Sequence, residues 1–256
     1  MRSPDPVPVL VFDLDGTILC CNSFPLWTLF VMTGRLRGVG VRRRALLSLR
    51  AAGLLLWRKI GRLGHDEFQR RLQVAWQAAT VGRDPALTSR FEAMLLRRVR
   101  ANLRSCLGLM VERQLDAVLA TAAAADYAEP FGRRLGFRHV LATRSGRAAG
   151  EPSNSGAIKR QRVVEFLRDI GWCDRPLILF TDHIDDLPLI RACDVVCWFG
   201  SAESLPALDA MVEEETRFIH CRDMSDEQSL AIFGTLCGYP PAITSRARVL
   251  SAITAS

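Results

Sequence analysis

A short, fully apolar run, Pro8–Phe12, ends abruptly on Asp13-Leu14-Asp15-Gly16-Thr17. A buried strand followed by a sharp loop satisfies this junction. Along an extended backbone, residues two apart project to the same side, so Asp13 and Asp15 would face one region beyond the strand. Gly16 permits the tight turn, and Thr17 adds a hydroxyl and a backbone N–H. The competing reading is a polar corner that caps the next helix. The apolar strand before the two aspartates and the Gly-Thr after them argue against it.

The pattern recurs along the chain. Leu115–Thr121, His139–Thr143, Leu177–Thr181 and Asp194–Phe199 read as further short buried strands. Gly156–Ile170 carries apolar residues at helical spacing, and Asp185–Cys193 is a shorter helical candidate. Strands alternating with helices predict right-handed crossovers and an α/β fold, with a Rossmann-like parallel sheet and helices on both faces. Ligands of such sheets bind beyond the carboxyl ends of the strands, where Asp13, Thr121 and Asp182 would stand.

Residues 20–110 break this rhythm with Leu- and Arg-rich helical stretches, punctuated by Gly34, Gly53, Gly61, Gly64 and the 82–85 segment. The expected organisation is a catalytic core of residues 1–19 and 111–240, an all-helical cap of residues 20–110 inserted after the first strand, and a tail of residues 241–256. No internal repeat is present.

Charge divides along the same line. The chain of 256 residues has a net charge of +7, and only Lys59 and Lys159 of its 34 basic residues are lysines. Residues 35–104 hold 17 basic and 4 acidic residues, whereas the remainder holds 17 basic and 23 acidic. A basic insert in an acidic body predicts two parts with different tasks. No segment reaches the roughly 18 uninterrupted apolar residues of a membrane span, and the N-terminus does not resemble a signal peptide. Eight cysteines without a C-x-x-C pair exclude zinc spacing and favour free thiols in a cytoplasmic protein.

Three further pieces point to phosphate chemistry. Thr181-Asp182-His183-Ile184-Asp185-Asp186 places three carboxylates in five residues after a strand, and these would repel one another unless a cation joined them. Hard oxygen ligands suit Mg²⁺ rather than zinc, and nothing at suitable spacing supports His183 as a zinc ligand. Thr121 and Ala122 close another strand, with a hydroxyl and a backbone N–H available for a phosphate, or for a helix cap. Lys159 opens a helix in a chain that otherwise uses arginine, and lysine is a compact point charge suited to phosphate.

The ordered set of Asp13–Thr17, Thr121, Lys159 and Thr181–Asp186 resembles the haloacid dehalogenase superfamily. The 121–131 stretch and the insert after the first strand are similar to its phosphoserine-phosphatase-like branch. That resemblance implies a phosphomonoester hydrolase using Mg²⁺, with Asp13 as nucleophile and Asp15 as general acid and base. Thr121, Ala122 and Lys159 would bind phosphate, and Asp13, Asp15, Asp182 and Asp186 would serve the metal. A preserved Asp15 favours hydrolysis over dehalogenation, because an alkoxide leaving group needs a proton. The sequence departs from the family pattern in three segments. Thr181-Asp182-His183 stands where Gly-Asp-Ser is common, and Ala123-Ala124 replace Ser-Pro. Asn22 stands where phosphoserine phosphatases carry a glutamate for the substrate's ammonium, so Asn22 argues against phosphoserine.

The insert sets the alternatives. Phe24–Met32 and Ala45–Trp57 are strongly apolar and flanked by arginines, which fits helices packed on the core with solvated arginines. The alternative is an interfacial pair on an anionic membrane, which resembles the caps of phosphatidylglycerophosphate phosphatases of the same branch. The expected partner is thus a small-molecule or lipid phosphomonoester, with the protein cytoplasmic or peripheral on the inner membrane face. Transfer of the phosphoryl group to an acceptor other than water is an alternative. A nucleic-acid-binding role is disfavoured by the scarcity of aromatics placed for base stacking.

Overall fold

In a computed structural model, residues 7–33, 40–80, 86–212 and 216–239 are described. The expected tail from residue 241, and the breaks at Gly34 and 82–85, lie outside these residues. The first strand, β1 (Val9–Phe12), is followed by five helices before the second strand: α1 (Ser23–Met32), α2 (Val41–Lys59), α3 (His65–Thr80), α4 (Ala86–Leu96) and α5 (Ala101–Glu112). Alternation then resumes through β2 (Ala117–Ala124), α6 (Ala125–Arg134), β3 (His139–Thr143), α7 (Gly156–Asp169) and β4 (Leu177–Thr181). The chain continues with α8 (Leu187–Ile190), β5 (Val195–Trp198), α9 (Leu205–Asp209), β6 (Arg217–His220) and α10 (Asp226–Leu236).

All six strands are parallel, in the order β3-β2-β1-β4-β5-β6. The fold is α/β and Rossmann-like, with helices on both faces. The apolar strands are continuous rather than alternating because both faces are covered. Val9 and Val11 pack on one side with Val163 and Leu167 of α7. Leu10 and Phe12 pack on the other with Leu107 of α5, Phe131 of α6 and Phe233 of α10. Connections run outwards in both directions from β1, so the strand order reverses between β1 and β4. Ligands of doubly wound sheets bind at that crevice.

Several elements differ from the sequence expectation. β2 runs three residues past Thr121, and its register against β3 shifts between Ala120 and Ala124. Asp185–Cys193 is a 3₁₀ turn over Ile184–Asp186 followed by the single-turn α8, because Pro188 lacks an N–H and permits only a fresh start. β6 was not anticipated; it is a short edge strand with an exposed Arg217. Helix α5 crosses the expected boundary at residue 110 and packs against α10, with Leu103, Cys106 and Met110 buried.

Helix α1 turns Phe24, Trp27 and Phe30 inwards at helical spacing. They meet Phe68 and Trp76 of α3, Phe91 of α4 and Tyr127 of α6, with ring centroids 5.3–6.3 Å apart. Helix α3 is further fixed by glutamines four residues apart. Gln69 Nε2 donates to the Ala122 carbonyl at 3.0 Å, and Gln73 and Gln77 donate to Asp126 at 3.2 and 2.9 Å. The inserted helices are therefore registered on the β2–α6 corner by directional bonds as well as aromatic packing.

Phe12 ends β1 directly beneath Asp13 and stacks on Phe180 of β4, with centroids 4.1 Å apart. Phe12→Ala removes a fully buried ring from this support. It is expected to cost about 3–5 kcal/mol, measured by urea unfolding; a loss below 1 kcal/mol would show that the ring stack does not carry the crevice.

Candidate active site

The crevice at the β1/β4 boundary opens into a cavity of about 330 Å³, whose lining includes Asp13, Asp15, Asn22, Thr121, Ala122, Lys159, Asp182 and Asp186 but not Thr17 or Thr181. Register explains the meeting of the first and fourth motifs. Phe12 is paired with Phe180, and the Asp13 N–H donates to the Phe180 carbonyl at 2.8 Å. The residues following both strands thus emerge side by side.

Lys159 sits in the first turn of α7, the helix end that electrostatically disfavours a cation, and is almost fully buried. Two carboxylates account for its position. Nζ lies 2.8 Å from Asp13 Oδ1 and 2.7 and 2.9 Å from the oxygens of Asp186. Burial alone would lower the lysine pKa, but Asp13 and Asp186 outweigh it and hold the ammonium above its ordinary value. Asp186 also accepts from Thr181 Oγ1 at 2.6 Å. The sequence placed Asp186 among the metal residues; here both its oxygens are committed to protein donors, so direct ligation would require giving one up.

Asp15 is held from the other side. Its oxygens accept from the Ser23 N–H at 2.8 Å and the Ser23 hydroxyl at 2.9 Å, and that hydroxyl lies 2.8 Å from Tyr127 Oη. Burial pushes the Asp15 pKa up to about 6 against the pull of the Ser23 bonds. Burial likewise pushes Asp13 up to about 7, although Lys159 opposes the rise. Asp182 is raised mainly by burial.

The loop between Asp13 and α1 is pinned from below. Arg100 donates to the Gly16 and Thr17 carbonyls at 2.6 and 3.1 Å, and its guanidinium lies over the Phe199 ring. Gly16 adopts φ +76°, and a Cβ there would collide with the Asp182 carboxylate. Only glycine lets the loop pass this close.

The phosphate-binding candidates owe their position to the irregular end of β2. The shift against β3 turns residues 121–123 out of the ladder, as bulges do near active sites. Asn154 offsets the lost strand bonds by donating to the Thr121 and Leu141 carbonyls at 3.1 and 2.7 Å. Thr143 Oγ1 donates to the Ala122 carbonyl at 2.7 Å, and Thr121 Oγ1 accepts from the Ala123 N–H at 3.1 Å. Thr121, Ala122 and Lys159 thereby edge one cavity from separate elements. Asn22 lines it too, with its carbonyl oxygen capping α1 through the Phe24 N–H at 2.9 Å, which leaves the amide NH₂ for a ligand.

Ser23, Tyr127, Arg100, Asn154 and the cavity residues His65 and Gln69 are not apparent from the sequence alone. Gln69, Gln73 and Gln77 carried a visible signal, an amide every fourth residue on one helical face. The others did not, because each acts through tertiary contact.

The sequence model of the haloacid dehalogenase-like hydrolase family matches residues 10–191, from β1 to just past α8. The chain belongs to the haloacid dehalogenase-like hydrolase family. Among curated proteins, none matches the sequence. Solved structures share the fold of this hydrolase. A protein of unknown function from Bordetella pertussis Tohama I is 19% identical with a TM-score of 0.61, over 84% of this chain and 99% of that one. A HAD family hydrolase from Salmonella enterica serovar Typhi is 12% identical at a TM-score of 0.52, over 90% and 71%. A probable phosphoserine phosphatase from Vibrio cholerae, in unliganded form, is 12% identical at 0.54, over 98% and 67%.

The donor set of this hydrolase suits a hard divalent cation. Asp13, Asp15, Asp182 and Asp186 crowd one cavity around the single lysine, with their charges only partly balanced. Among the described residues, no three His, Cys, Asp or Glu side chains form a ready-made ligand cage. An ion held by two carboxylates, a carbonyl and waters fits Mg²⁺, which dehydrates reluctantly.

The raised Asp13 pKa has a measurable consequence. Its folded value of about 7 lies above the ordinary 3.8, so the folded protein retains a proton that the unfolded chain releases. Its contribution to stability is complete below the unfolded value and falls as pH rises to the folded one. In chelator, wild type is expected to lose thermal stability relative to Asp13→Asn between about pH 4 and pH 7, and Mg²⁺ should restore it. Parallel pH courses for the two proteins would show that Asp13 titrates normally.

Proposed function

We propose that this hydrolase is a Mg²⁺-dependent phosphomonoesterase working through an aspartyl-phosphate on Asp13. The observation that carries the reading is the pairing of two differently held aspartates at one strand end. Asp13 is oriented by a buried ammonium, whereas Asp15 is held by the Ser23 N–H and hydroxyl. Two carboxyls in such distinct environments suit one nucleophile and one acid–base group. The phosphoserine-phosphatase-like branch agrees with the fold shared with the Vibrio cholerae protein and with the helices inserted after β1.

In this mechanism Lys159 holds Asp13 Oδ1, and Oδ2 attacks phosphorus. The bond from phosphorus to the ester oxygen breaks as Asp15 gives that oxygen its proton. Asp15, now a carboxylate, accepts a proton from water as the water oxygen attacks the aspartyl-phosphate. The Asp13–phosphorus bond then breaks and inorganic phosphate leaves. Thr121, the Ala122 N–H and Lys159 stabilise the equatorial oxygens. Mg²⁺ would be held by Asp13, the Asp15 carbonyl and Asp182, and when bound would offset the charge of the phosphoryl oxygens. Asp186 supports it through Lys159, and Ser23 and Tyr127 position Asp15.

The rest of the cavity indicates the leaving group. Cys21, Asn22, Phe24, His65 and Gln69 line it, and burial with the nearby Arg58 lowers the His65 pKa, favouring neutral imidazole. Asn22 presents an amide donor, which cannot pair with an ammonium as a carboxylate does. A neutral, hydroxyl-bearing leaving group fits this wall better than phosphoserine.

A panel of sugar phosphates, nucleotides, phosphoamino acids and lipid phosphates, assayed with Mg²⁺ for released inorganic phosphate, tests the reading. Asp13→Asn is expected to abolish turnover, and Asp15→Asn to reduce it about 10²–10⁴-fold. Turnover surviving Asp13→Asn would exclude the covalent mechanism. Phosphate passed to an alcohol acceptor in preference to water would make the enzyme a phosphotransferase.

A further inference from the structure

Helix α2 has two apolar faces, and only one is packed. Leu47 and Ala51 are buried, with Leu54 and Leu55 half-buried beside them. On the opposite arc Val41, Leu46, Leu49 and Leu56 are 50–76% exposed, and Trp57 and Ile60 about half exposed. Burying the first set against α1 and α3 accounts for the inward face. Of the outward set Trp57 packs in part, with the Arg71 guanidinium over its ring; the others leave apolar surface exposed, and such patches mark interaction sites.

The charge on the same helix identifies what covers it. Over Val41–Lys59 there are six basic residues and no acidic one. Arg42, Arg43, Arg50 and Lys59 are exposed and, among the described residues, have no carboxylate partner. At 100° per residue, Leu49 and Leu56 mark the centre of the outer arc, Lys59 and Arg50 fall along its two edges, and Arg42 stands on the arc only at the N-terminal end of the helix. An apolar centre with cationic margins is the arrangement of a helix lying in a lipid interface, with its apolar stripe among acyl chains and its cations among headgroups. The helix is about 28 Å long, enough to lie along a surface. A second copy of the chain is a poorer occupant: α2 apposed to α2 would bring only like charges together. A shallow groove beside α2, lined by Gly53, Leu54, Val74 and Ala75 with Arg50 and Arg71 among its walls, extends the apolar surface onto α3.

We propose that the outer face of α2 docks the protein onto an anionic bilayer surface, lying in the interface without crossing it. No helix of the described residues is long and apolar enough to span a membrane. The inference concerns where the protein resides and is independent of the proposed phosphatase reaction.

Co-sedimentation of the full chain tests it, using phosphatidylcholine vesicles with and without phosphatidylglycerol. The protein is expected to pellet with the anionic vesicles at low salt, to stay soluble with phosphatidylcholine alone, and to be released at about 1 M salt, where screening acts within about 3 Å. Replacing Arg42 and Arg43 by alanine should weaken binding about fivefold per residue, roughly 25-fold together. Leu49→Glu with Leu56→Glu should abolish it. Unchanged circular dichroism and melting temperature would show that these variants remain folded. The proposal is overturned if wild type does not pellet at low salt or if the double glutamate variant binds as wild type does. It is equally overturned if sedimentation velocity shows a dimer that this variant dissolves, since a second copy would then cover the face.

Discussion

The buried ammonium of Lys159 is the contact on which the site depends. It lies within 2.9 Å of Asp13 on one side and Asp186 on the other, joining the ends of β1 and β4 to the first turn of α7. Removing it would leave two carboxylates buried, each without its cation, and such losses are severe even where the intact pair adds little net stability. The grouping is costly to bury and sits at the unfavourable end of a helix. Positioning Asp13 accounts for it better than stability does, because a buried charged group can be replaced by apolar packing unless its direction matters.

Around that contact the sheet supplies alignment and the inserted helices supply closure. The pairing of Phe12 with Phe180 sets Asp13 beside Thr181, whose hydroxyl orients Asp186. Across the cavity, Gln69 of α3 joins the Ala122 carbonyl and accepts from Arg147 at 3.1 Å. A shift of α3 would therefore disturb the strand end that carries Thr121 and Ala122. The walls proposed to meet the leaving group and the phosphate share one hydrogen-bond chain, so changes in one are felt in the other.

The legible part of this architecture was whatever local pattern determines. Continuous apolar runs of about five residues marked β1, β3, β4 and β5, because strands covered on both faces have no polar alternation to hide them. Asp13 and Asp182 were legible because each directly follows an apolar run, and Lys159 because it opens a helix; Thr121 lies within β2, at the irregular stretch before its end. β6 escaped, since Arg217 and His220 bracket only two apolar residues at an edge. Ser23 and Tyr127 escaped for a different reason. They lie 104 residues apart, and nothing near either predicts that their hydroxyls meet over Asp15. Arg100 could not be picked out among so many arginines until its guanidinium was seen under the Asp15–Thr17 loop.

The division of charge in the sequence has a physical counterpart at the cavity. Five aspartates line it, so the phosphate dianion of the proposed reaction would meet a negative field that one lysine cannot reverse. Among the described residues no arginine lines the cavity, yet three stand one residue behind its wall. Arg58 contacts His65 at 2.7 Å, Arg147 contacts Gln69, and Arg100 holds the Gly16 carbonyl. Guanidiniums in that position raise the local potential without competing for the phosphoryl oxygens, and a cleft with low-dielectric walls focuses their field. Two of the three, Arg58 and Arg100, come from the basic insert. Its charge thus faces two ways, outwards along α2 and inwards behind the acidic site.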